Sequence, residues 1–230
     1  VFDSGAKFSS GSDMGERAVL PFLWSRGLKQ IDMLLISHGD NDHIGGAESI
    51  LAGIKVKQIL SSVPGRFPTR GALACRQGQQ WMWDQVAFKV LSPPSPGFET
   101  ENDNSCVLKI ESENGGALLT GDIETTAENW LVEHYSEALR AEILIAPHHG
   151  SDTSSSQQFL QEVDPELILI PAGFNNRFRH PSGNVLDRYR KKGINWHNVA
   201  NEGAVDIIVD VDQFEISRYR TTDGRYWNSL

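Results

Sequence analysis

The chain has 230 residues, of which 39% are hydrophobic and 9% aromatic, a composition that supports a packed core and excludes a disordered protein. The net charge of −9 argues against a broad nucleic-acid-binding surface, which normally has a basic excess. It does not exclude a local site, because bound divalent cations reverse the field around acidic ligands. No apolar run approaches the roughly 18 residues of a membrane span, and no signal peptide is found. The first residues resemble the middle of a strand, so we expect a soluble single domain over 1–230, cut from a longer protein.

The first half of the chain alternates predicted strands and helices. Strands are predicted over 1–5, 31–36 and 56–60, and helices over 17–25 and 47–51. Residues 61–78 are irregular because prolines and glycines interrupt them. A hairpin is predicted between 81 and 90, and a proline-rich loop over 92–97 follows it.

The second half repeats this order. Strands are predicted over 106–110, 117–119, 143–146, 167–170, 205–211 and 214–219, and helices over 124–139, around 159–160 and over 185–192. An exposed loop is expected over 175–182. No linker is long enough to separate domains, so the pattern predicts an α/β architecture of two sheets packed face to face with helices outside.

The cysteines, Cys75 and Cys106, do not form a Cys-x-x-Cys pair, which argues against a zinc–thiolate site. They are either two buried thiols or one disulfide in an oxidising compartment. Their spacing does not choose between these alternatives.

The segment over 37–46 concentrates metal-competent side chains directly after a buried strand. His38 and Asp40 face the same side of an extended chain, and Asp42 and His43 lie where the next helix begins. Gly45 and Gly46, which follow, allow a close backbone approach. This convergence at a rigid strand end predicts a metal site; the alternative is a helix N-cap at Asp42 beside surface histidines.

Two other predicted strands end in polar residues. Asp122 follows the strand over 117–119 and, taken alone, fits an N-cap for the helix near 124. His148 and His149 follow the strand over 143–146, and adjacent imidazoles there favour a ligand or proton-transfer role. His134 and His197 fit structural roles, whereas His180 lies in a basic loop that either binds an anion or is a solvated turn.

These motifs are similar to those of a known family. His38-Gly39-Asp40-Asn41-Asp42-His43 resembles the His-x-His-x-Asp-His signature of the metallo-β-lactamase superfamily, with Asp40 in place of the usual second histidine. Thr120-Gly121-Asp122 resembles its bridging-aspartate motif, and Asp3-Ser4-Gly5 resembles its early aspartate strand. With the segments 102–108 and 147–151, the pattern is similar to the C-terminal domain of ComEC-type competence proteins, which are bacterial inner-membrane DNA-uptake channels. The likeness runs from residue 1 to about residue 192.

The resemblance implies a four-layer αββα sandwich of two mixed sheets with helices outside, and two divalent metal ions. His38 and Asp40 would hold the first ion. Asp42, His43 and His148 would hold the second, and Asp122 would bridge both. Residues 102–105 stand where the family has a third histidine for the first ion. With three carboxylates beside three imidazoles, the ligand set favours Mn²⁺, with Zn²⁺ as a competitor.

The resemblance also implies a function, namely a metal-dependent phosphodiesterase that degrades the non-transported DNA strand during natural transformation. Asp42, His149 and His180 are the candidate catalytic residues, and either histidine could protonate the leaving oxygen. Asp3 would orient a ligand histidine. The expected partners are single-stranded DNA and the membrane-embedded channel of the same full-length protein, with this domain on the periplasmic side. Candidate phosphate contacts are Lys7, Asn104, Ser105, Arg177 and Arg179.

Two alternatives stay open from the sequence. One is a metallohydrolase of another phosphoester or of a small acyl substrate, because the fold alone does not choose among hydrolyses. The other is a non-catalytic domain that guides DNA into the channel, which the missing histidine favours.

Overall fold

The computed structural model of the chain describes residues 1–210 and 214–222, which form two compact units. The first unit comprises Val1–Gln79 and Ser92–Cys106, and the second comprises Gln80–Leu91 and the described residues from Val107 onward. Within these described ranges, no helix is both long enough and apolar enough to cross a bilayer. The single domain expected over 1–230 stays a prediction.

The first unit contains a three-stranded parallel sheet in the order β1-β2-β3. Its strands are β1 (Gln30–Ile36), β2 (Lys55–Ser61) and β3 (Leu73–Ala74), and its helices are α1 (Leu20–Ser25), α2 (Asn41–Ile44) and α3 (Ala47–Gly53). A π-helical turn, Gly15–Val19, leads into α1, and a 3-10 turn covers Pro64–Arg66. The core of this unit packs apolar side chains of α1 and α3 against β1 and β2; among them are Leu20, Leu23, Leu34, Ile36, Ile50 and Ile59.

The second unit contains a seven-stranded mixed sheet in the order β10-β9-β8-β7-β6-β5-β4. Its strands are β4 (Gln80–Trp83), β5 (Val86–Ser92), β6 (Val107–Ser112), β7 (Gly115–Leu119), β8 (Ile143–Ile145), β9 (Leu167–Ile170) and β10 (Asn195–Asn198). A separate antiparallel pair is formed by β11 (Val205–Val209) and β12 (Phe214–Arg218). The helices are α4 (Thr125–Tyr135), α5 (Gln157–Val163), α6 (Gly183–Lys192), α7 (Val199–Glu202) and α8 (Tyr219–Thr222), with 3-10 turns at Ser136–Leu139 and Pro147–Gly150.

Several predicted boundaries are wrong for local reasons. The strand predicted over 1–5 is reduced to one bridge between Phe2 and Leu35, because the backbone turns to a positive φ of 56° at Asp3. The helix predicted over 124–139 ends at Tyr135 and continues as a 3-10 turn, since Ser136 also has a positive φ. The predicted strand over 205–211 ends at Val209, and residue 211 lies outside the described residues.

The disulfide alternative for the cysteines is the one the structure contains. Cys75 and Cys106 are bonded, with their Cα atoms 6.1 Å apart, and both lie in the first unit. The backbone N–H of Cys106 donates to the carbonyl oxygen of Ser37 at 2.9 Å. The disulfide therefore lies beside Ser37, directly before residues 38–43, which we call the histidine motif.

Gly45 and Gly46 make the close backbone approach that the sequence predicts. A Cβ atom on Gly46 would lie 2.4 Å from both the carbonyl oxygen of Ser4 and the backbone nitrogen of Gly15. The N–H of Gly46 donates to the carbonyl oxygen of Gly5 at 2.9 Å. These contacts fix the end of the histidine motif against the N-terminal segment.

Glu128, a fully buried carboxylate on α4, anchors the loop that follows the second pair of histidines. Its two oxygens accept the backbone N–H groups of Ser155 and Ser156. Ser155 has a positive φ of 56°, and its hydroxyl lies 2.8 Å from that of Tyr189. Arg188 donates to the carbonyl oxygen of Ser155 at 2.9 Å. Glu128 thus holds a strained backbone segment through two hydrogen bonds, and the one to Ser155 is buried.

We expect Gly46→Ala to lower the free energy of unfolding by about 1–3 kcal/mol, because the added methyl group meets backbone atoms that cannot turn aside. The matched control is Gly65→Ala in the same unit, where an added Cβ meets nothing within 4 Å. Denaturant unfolding of both variants measures the difference. Equal stability of the two variants would contradict the close approach.

We expect Glu128→Ala to lower the free energy of unfolding by about 3 kcal/mol, because the buried N–H of Ser155 and the half-buried N–H of Ser156 lose their acceptors. Glu133→Ala, which removes an exposed carboxylate from the same helix, is the control and should change stability by less than about 0.5 kcal/mol. A loss no larger than that of the control would show that Glu128 does not anchor the loop.

Glu128 also predicts a pH dependence. Burial raises the pKa of its carboxyl above the ordinary value of 4.5, although the Ser155 and Ser156 N–H groups and Arg188 oppose the shift. The folded chain therefore binds this proton more tightly than the unfolded chain does. The resulting contribution to the free energy of unfolding is complete below pH 4.5 and is lost as the pH rises through the pKa of the folded state. Glu128→Gln cannot titrate. We expect the stability of the wild type relative to this variant to fall with rising pH in denaturant titrations; a rise would contradict the shift.

Candidate metal centre

In the first unit, the histidine motif begins directly after β1, and its second half lies in the short helix α2. Ser37 and His38 follow β1 and are fully buried. α2 then begins at Asn41, and one helical turn brings the buried ring of His43 to 4.1 Å from the ring of His38, measured between centroids. A short helix directly after the strand therefore pairs two imidazoles that are five positions apart.

Asp3 orients His43 through the nitrogen of its ring that faces away from a ligand position. Oδ2 of Asp3 lies 2.7 Å from Nδ1 of His43, and both oxygens of Asp3 also accept hydrogen bonds from Ser37. Because a carboxylate only accepts, Nδ1 of His43 carries the proton and Nε2 carries the electron pair. Metal-binding histidines are commonly oriented in this way.

Ser37 orients His38 by the same logic. Its hydroxyl donates its proton to Oδ2 of Asp3 at 2.8 Å, so it accepts from Nδ1 of His38 at 3.0 Å. Nε2 of His38 therefore carries an electron pair as well, and it lies 3.6 Å from Oδ2 of Asp40. An imidazole nitrogen and a carboxylate oxygen that face each other in this way form a donor pair suited to a cation.

The carboxylates of the motif lie on its accessible side. Asp40 and Asp42 are both exposed, in contrast to the buried histidines. The N-cap position of α2 is Asp40, and Asp42 lies within the first turn. The alternative in which Asp42 caps the helix is therefore wrong.

Residues 102–105, where the sequence analysis expects a missing third histidine, form a braced turn. The side-chain oxygen of Asn104 accepts from the N–H of Phe98 at 2.9 Å, and its amide nitrogen donates to the carbonyls of Phe98 and Thr100. The same loop brings Glu101 to Gly39, where Oε1 lies 2.1 Å from the position of an added Cβ. The amide of Asn104 is thus engaged within its own loop, and Glu101 is the carboxylate that this loop contributes beside the motif.

Lys7 and Ser105, two candidate phosphate contacts, differ in accessibility. Lys7 is exposed, and its backbone is tied to Asn41 of α2 by two hydrogen bonds of 3.3 and 3.0 Å. Ser105 is fully buried, so it lies in the interior and not on a substrate-accessible surface. Lys7 therefore fits the predicted role better than Ser105.

In the second unit, Asp122 is buried just after β7 and is not a helix cap. The N-cap position of α4 belongs to Glu124, two residues further on. The side chain of Asp122 is 5% exposed, which makes an ionised carboxylate costly unless a cation or hydrogen-bond donors compensate it. The cap interpretation of Asp122 is wrong, and its burial favours a ligand role.

His148 and His149 both direct Nε2 at Asp122. The two Nε2 atoms lie 3.7 and 3.5 Å from Oδ2 of Asp122. On the far side of each ring, Nδ1 of His148 faces Oε1 of Glu124 at 3.1 Å, and Nδ1 of His149 donates to the carbonyl oxygen of Pro171 at 3.0 Å. Since both acceptors hold the ring protons at Nδ1, two imidazole electron pairs and one carboxylate converge.

The backbone at this histidine pair is strained. His148 and His149 have φ values of +46° and +53°, a left-handed conformation that costs about 1–3 kcal/mol for a residue with a Cβ. The N–H of His148 donates to the carbonyl oxygen of Gly121 at 3.1 Å, and the hydroxyl of Ser154 donates to that of Pro147 at 2.7 Å. Such strain persists only where surrounding contacts enforce it, and it is common at functional sites.

His180 lies next to this pair, whereas His134 and His197 bond to other partners. Its ring centroid is 5.7 Å from that of His148. His134 bonds to the carbonyl oxygen of Trp130, and His197 pairs with Glu202 at 2.8 Å, which agrees with their expected structural roles.

Sequence analysis did not identify three polar side chains that support these sites. Ser37 and Glu124 each hold a ring proton of a candidate ligand, and Thr153 supports Glu124 with a hydrogen bond of 2.9 Å. The signal for the first two was present, because each lies within two residues of a candidate ligand at a strand end. Thr153 had no such signal.

The donors in each unit fit a divalent cation. In the first unit, His38 and His43 present Nε2 beside the carboxylates of the motif, and in the second, the two histidines present Nε2 to Asp122. Mixed imidazole and carboxylate donors are the ligands of Zn²⁺, Mn²⁺ and iron sites.

Comparison with known proteins gives the family. The model described as the metallo-β-lactamase superfamily matches residues 3–173. Recombination protein 2 of Haemophilus influenzae is 30% identical over 221 residues, which cover 96% of this chain and 27% of that protein. Competence protein ComA of Neisseria gonorrhoeae is 34% identical over 205 residues, which cover 89% of this chain and 28% of that protein. A candidate metal-dependent hydrolase from Parabacteroides distasonis has a TM-score of 0.51 at 14% identity, covering 74% of this chain and 77% of that one.

The chain thus spans little more than a quarter of the length of the two curated relatives. The solved structure, at 14% identity, supports the fold alone and confirms the predicted α/β class. The family match runs from Asp3, through the motif after β1 and Asp122, beyond the histidine pair. The chain belongs to the metallo-β-lactamase superfamily.

Proposed function

We propose that the chain is a metal-dependent phosphodiesterase that degrades single-stranded DNA during natural transformation. The observation that carries the hydrolase part is the orientation of His148 and His149, whose Nε2 atoms both face the buried carboxylate of Asp122. Proteins of this superfamily are generally metal-dependent hydrolases. DNA as the substrate is supported by the names of the relatives, a competence protein and a recombination protein.

The proposed ligands follow the family's motif order. His38 and Asp40 would hold one ion, Asp42, His43 and His148 would hold a second, and Asp122 would contribute to both. His149 has the same ring orientation as His148, so it suits a ligand position as well as the proton-donor role predicted from the sequence.

Divalent cations held there would supply a water of lowered pKa and would neutralise charge on the phosphate. The residues of the chain have supporting tasks. Asp3 and Glu124 hold the ring protons of His43 and His148, which keeps the electron pairs at Nε2. His180, beside His148, is the candidate to protonate the leaving oxygen.

Binding the phosphate backbone of DNA requires basic side chains, and this acidic chain has several of them near the candidate metal centre. Arg177 and Arg179 are exposed in the loop that carries His180, and Lys7 is exposed beside α2. Guanidinium groups bind phosphate oxygens in a bidentate manner, so the two arginines are the stronger candidates.

The place of this activity in the cell is part of the same proposal. Because the relatives are more than three times as long, we propose that the domain belongs to a membrane-embedded uptake channel and works on the periplasmic side. A disulfide between Cys75 and Cys106 agrees with an oxidising compartment.

We expect Asp122→Asn to lower DNA hydrolysis by about 100-fold or more, because even a lost outer partner of a metal ligand costs about 10-fold to 100-fold. The isosteric amide keeps the fold, which thermal unfolding checks. Asp187→Asn, an exposed carboxylate on α6, is the control and should keep full activity. Full activity of Asp122→Asn would refute the assignment of Asp122.

We expect the chelated chain to regain activity more fully with Mn²⁺ than with Zn²⁺, because its ligand set is richer in carboxylates than the usual one. Metal content and hydrolysis are measured together after each reconstitution. The substrates are single-stranded DNA, plasmid, a generic phosphodiester and an acyl ester. Activity with Zn²⁺ alone would overturn the metal preference. Hydrolysis of only the acyl ester, or of nothing, would favour one of the two alternative functions.

A further inference from the structure

The loop over residues 173–182, which we call the aromatic loop, exposes two phenylalanines. Phe174 is 53% exposed and Phe178 is 62% exposed. Side chains of this size are often buried, and this loop exposes two of them four positions apart. None of the roles proposed above uses either ring.

The backbone of the aromatic loop is braced by hydrogen bonds within the loop. The side-chain amide of Asn176 donates to the carbonyls of Gly173 and His180 at 2.9 and 2.7 Å. Its oxygen accepts from the N–H of His180 at 2.8 Å. Asn175 and Arg179 have positive φ values of 51° and 58°. Compact loops closed by their own hydrogen bonds are frequently functional.

A continuous series of rings leads from the surface to a proposed ligand. Phe178 stacks on His180 with a centroid distance of 5.6 Å and an angle of 15° between the ring planes. His180 is in turn 5.7 Å from His148. The guanidinium group of Arg177 lies 4.6 Å from the centroid of Phe178. The loop therefore presents aromatic faces and positive charge together, next to the histidine pair.

We propose that Phe174 and Phe178 form a base-stacking platform that selects single-stranded DNA, while Arg177 and Arg179 hold its phosphates. The inference rests on the proposed phosphodiesterase function and deepens it by assigning the residues that choose the substrate. Aromatic rings stack on any base, because every base has a π-face. Bases of a duplex are already stacked within the helix, so the platform discriminates against double strands. Basic groups beside the rings complement the charge of the strand, which a purely apolar protein partner would not require.

Binding separates this proposal from catalysis. Fluorescence anisotropy measures the Kd of a labelled single strand of about ten nucleotides for the Asp122→Asn chain, with and without Phe174→Ala and Phe178→Ala. We expect the two substitutions together to raise Kd about 10-fold or more for the normal strand and to leave an abasic strand of equal length unaffected. Because both rings are exposed, we expect thermal unfolding to be unchanged.

The chain offers a matched control in its first unit. Phe22 is 50% exposed, and the guanidinium group of Arg26 lies 5.2 Å from its ring, so it has the same chemistry as Phe178 without a neighbouring histidine pair. Phe22→Ala should leave both Kd values unchanged. An equal loss with Phe22→Ala, an equal loss on the abasic strand, or no loss on the normal strand would overturn the platform. Equally tight duplex binding by the unsubstituted loop would also overturn it.

Hydrolysis is measured separately on the wild-type chain. With a small generic phosphodiester that carries no base, Phe174→Ala, which leaves the Phe178 ring stacked on His180, should keep the wild-type rate, and with single-stranded DNA its kcat/KM should fall about 5-fold or more. A wild-type chain that hydrolyses no phosphodiester would refute the proposed function. The platform would still be judged by the Kd values, so the two failures are distinguishable.

Discussion

In both compact units, the orientation of the candidate ligand histidines depends on hydrogen-bond acceptors placed at Nδ1 of their rings. Each candidate ligand ring is held from behind by an oxygen that only accepts or has already given away its proton; these oxygens belong to Asp3, Ser37, Glu124 and Pro171. A neutral imidazole has one proton, so fixing it at Nδ1 fixes the electron pair at Nε2. The direction of every potential metal–nitrogen bond is therefore set by residues that would not touch the metal.

The fold supplies these acceptors from distant parts of the chain. Asp3 reaches Ser37 and His43 because Phe2 pairs with Leu35 of β1. Glu124 is placed by the start of α4, and Glu128, one turn further along that helix, holds the loop after the histidine pair. The helix α4 thus orients the ring of His148 through Glu124 at its N-terminus. Through Glu128 in its interior, it also holds the backbone of the loop that follows the histidine pair. The interior of the helix thereby holds Ser155, which also has a positive φ.

The sequence predicted the ligand side of this arrangement better than its supporting side. His38, Asp40, Asp42 and His43 were predicted as ligands because a polar cluster directly after an apolar strand is a local pattern, and Asp122 and the later pair repeat it. Pro171 could not be found, since it acts through a backbone carbonyl that every residue possesses. Glu128 looked like an ordinary helix residue, because nothing local shows that its side chain is buried. Turns at positive φ, such as Asp3 and Ser136, shortened predicted elements where no glycine marked them.

The disulfide has a topological consequence for the first unit, which is built from two stretches of chain, Val1–Gln79 and Ser92–Cys106. Cys75 lies in one stretch and Cys106 in the other, so the bond joins covalently what the excursion through β4 and most of β5 separates in sequence. The disulfide closes a covalent loop that contains this excursion. A protease that cleaves the excursion, for instance at the turn of Asp84 and Gln85, opens that loop at a single peptide bond. Under non-reducing conditions the fragments then stay linked, and the segment that carries His38 remains attached to its neighbours.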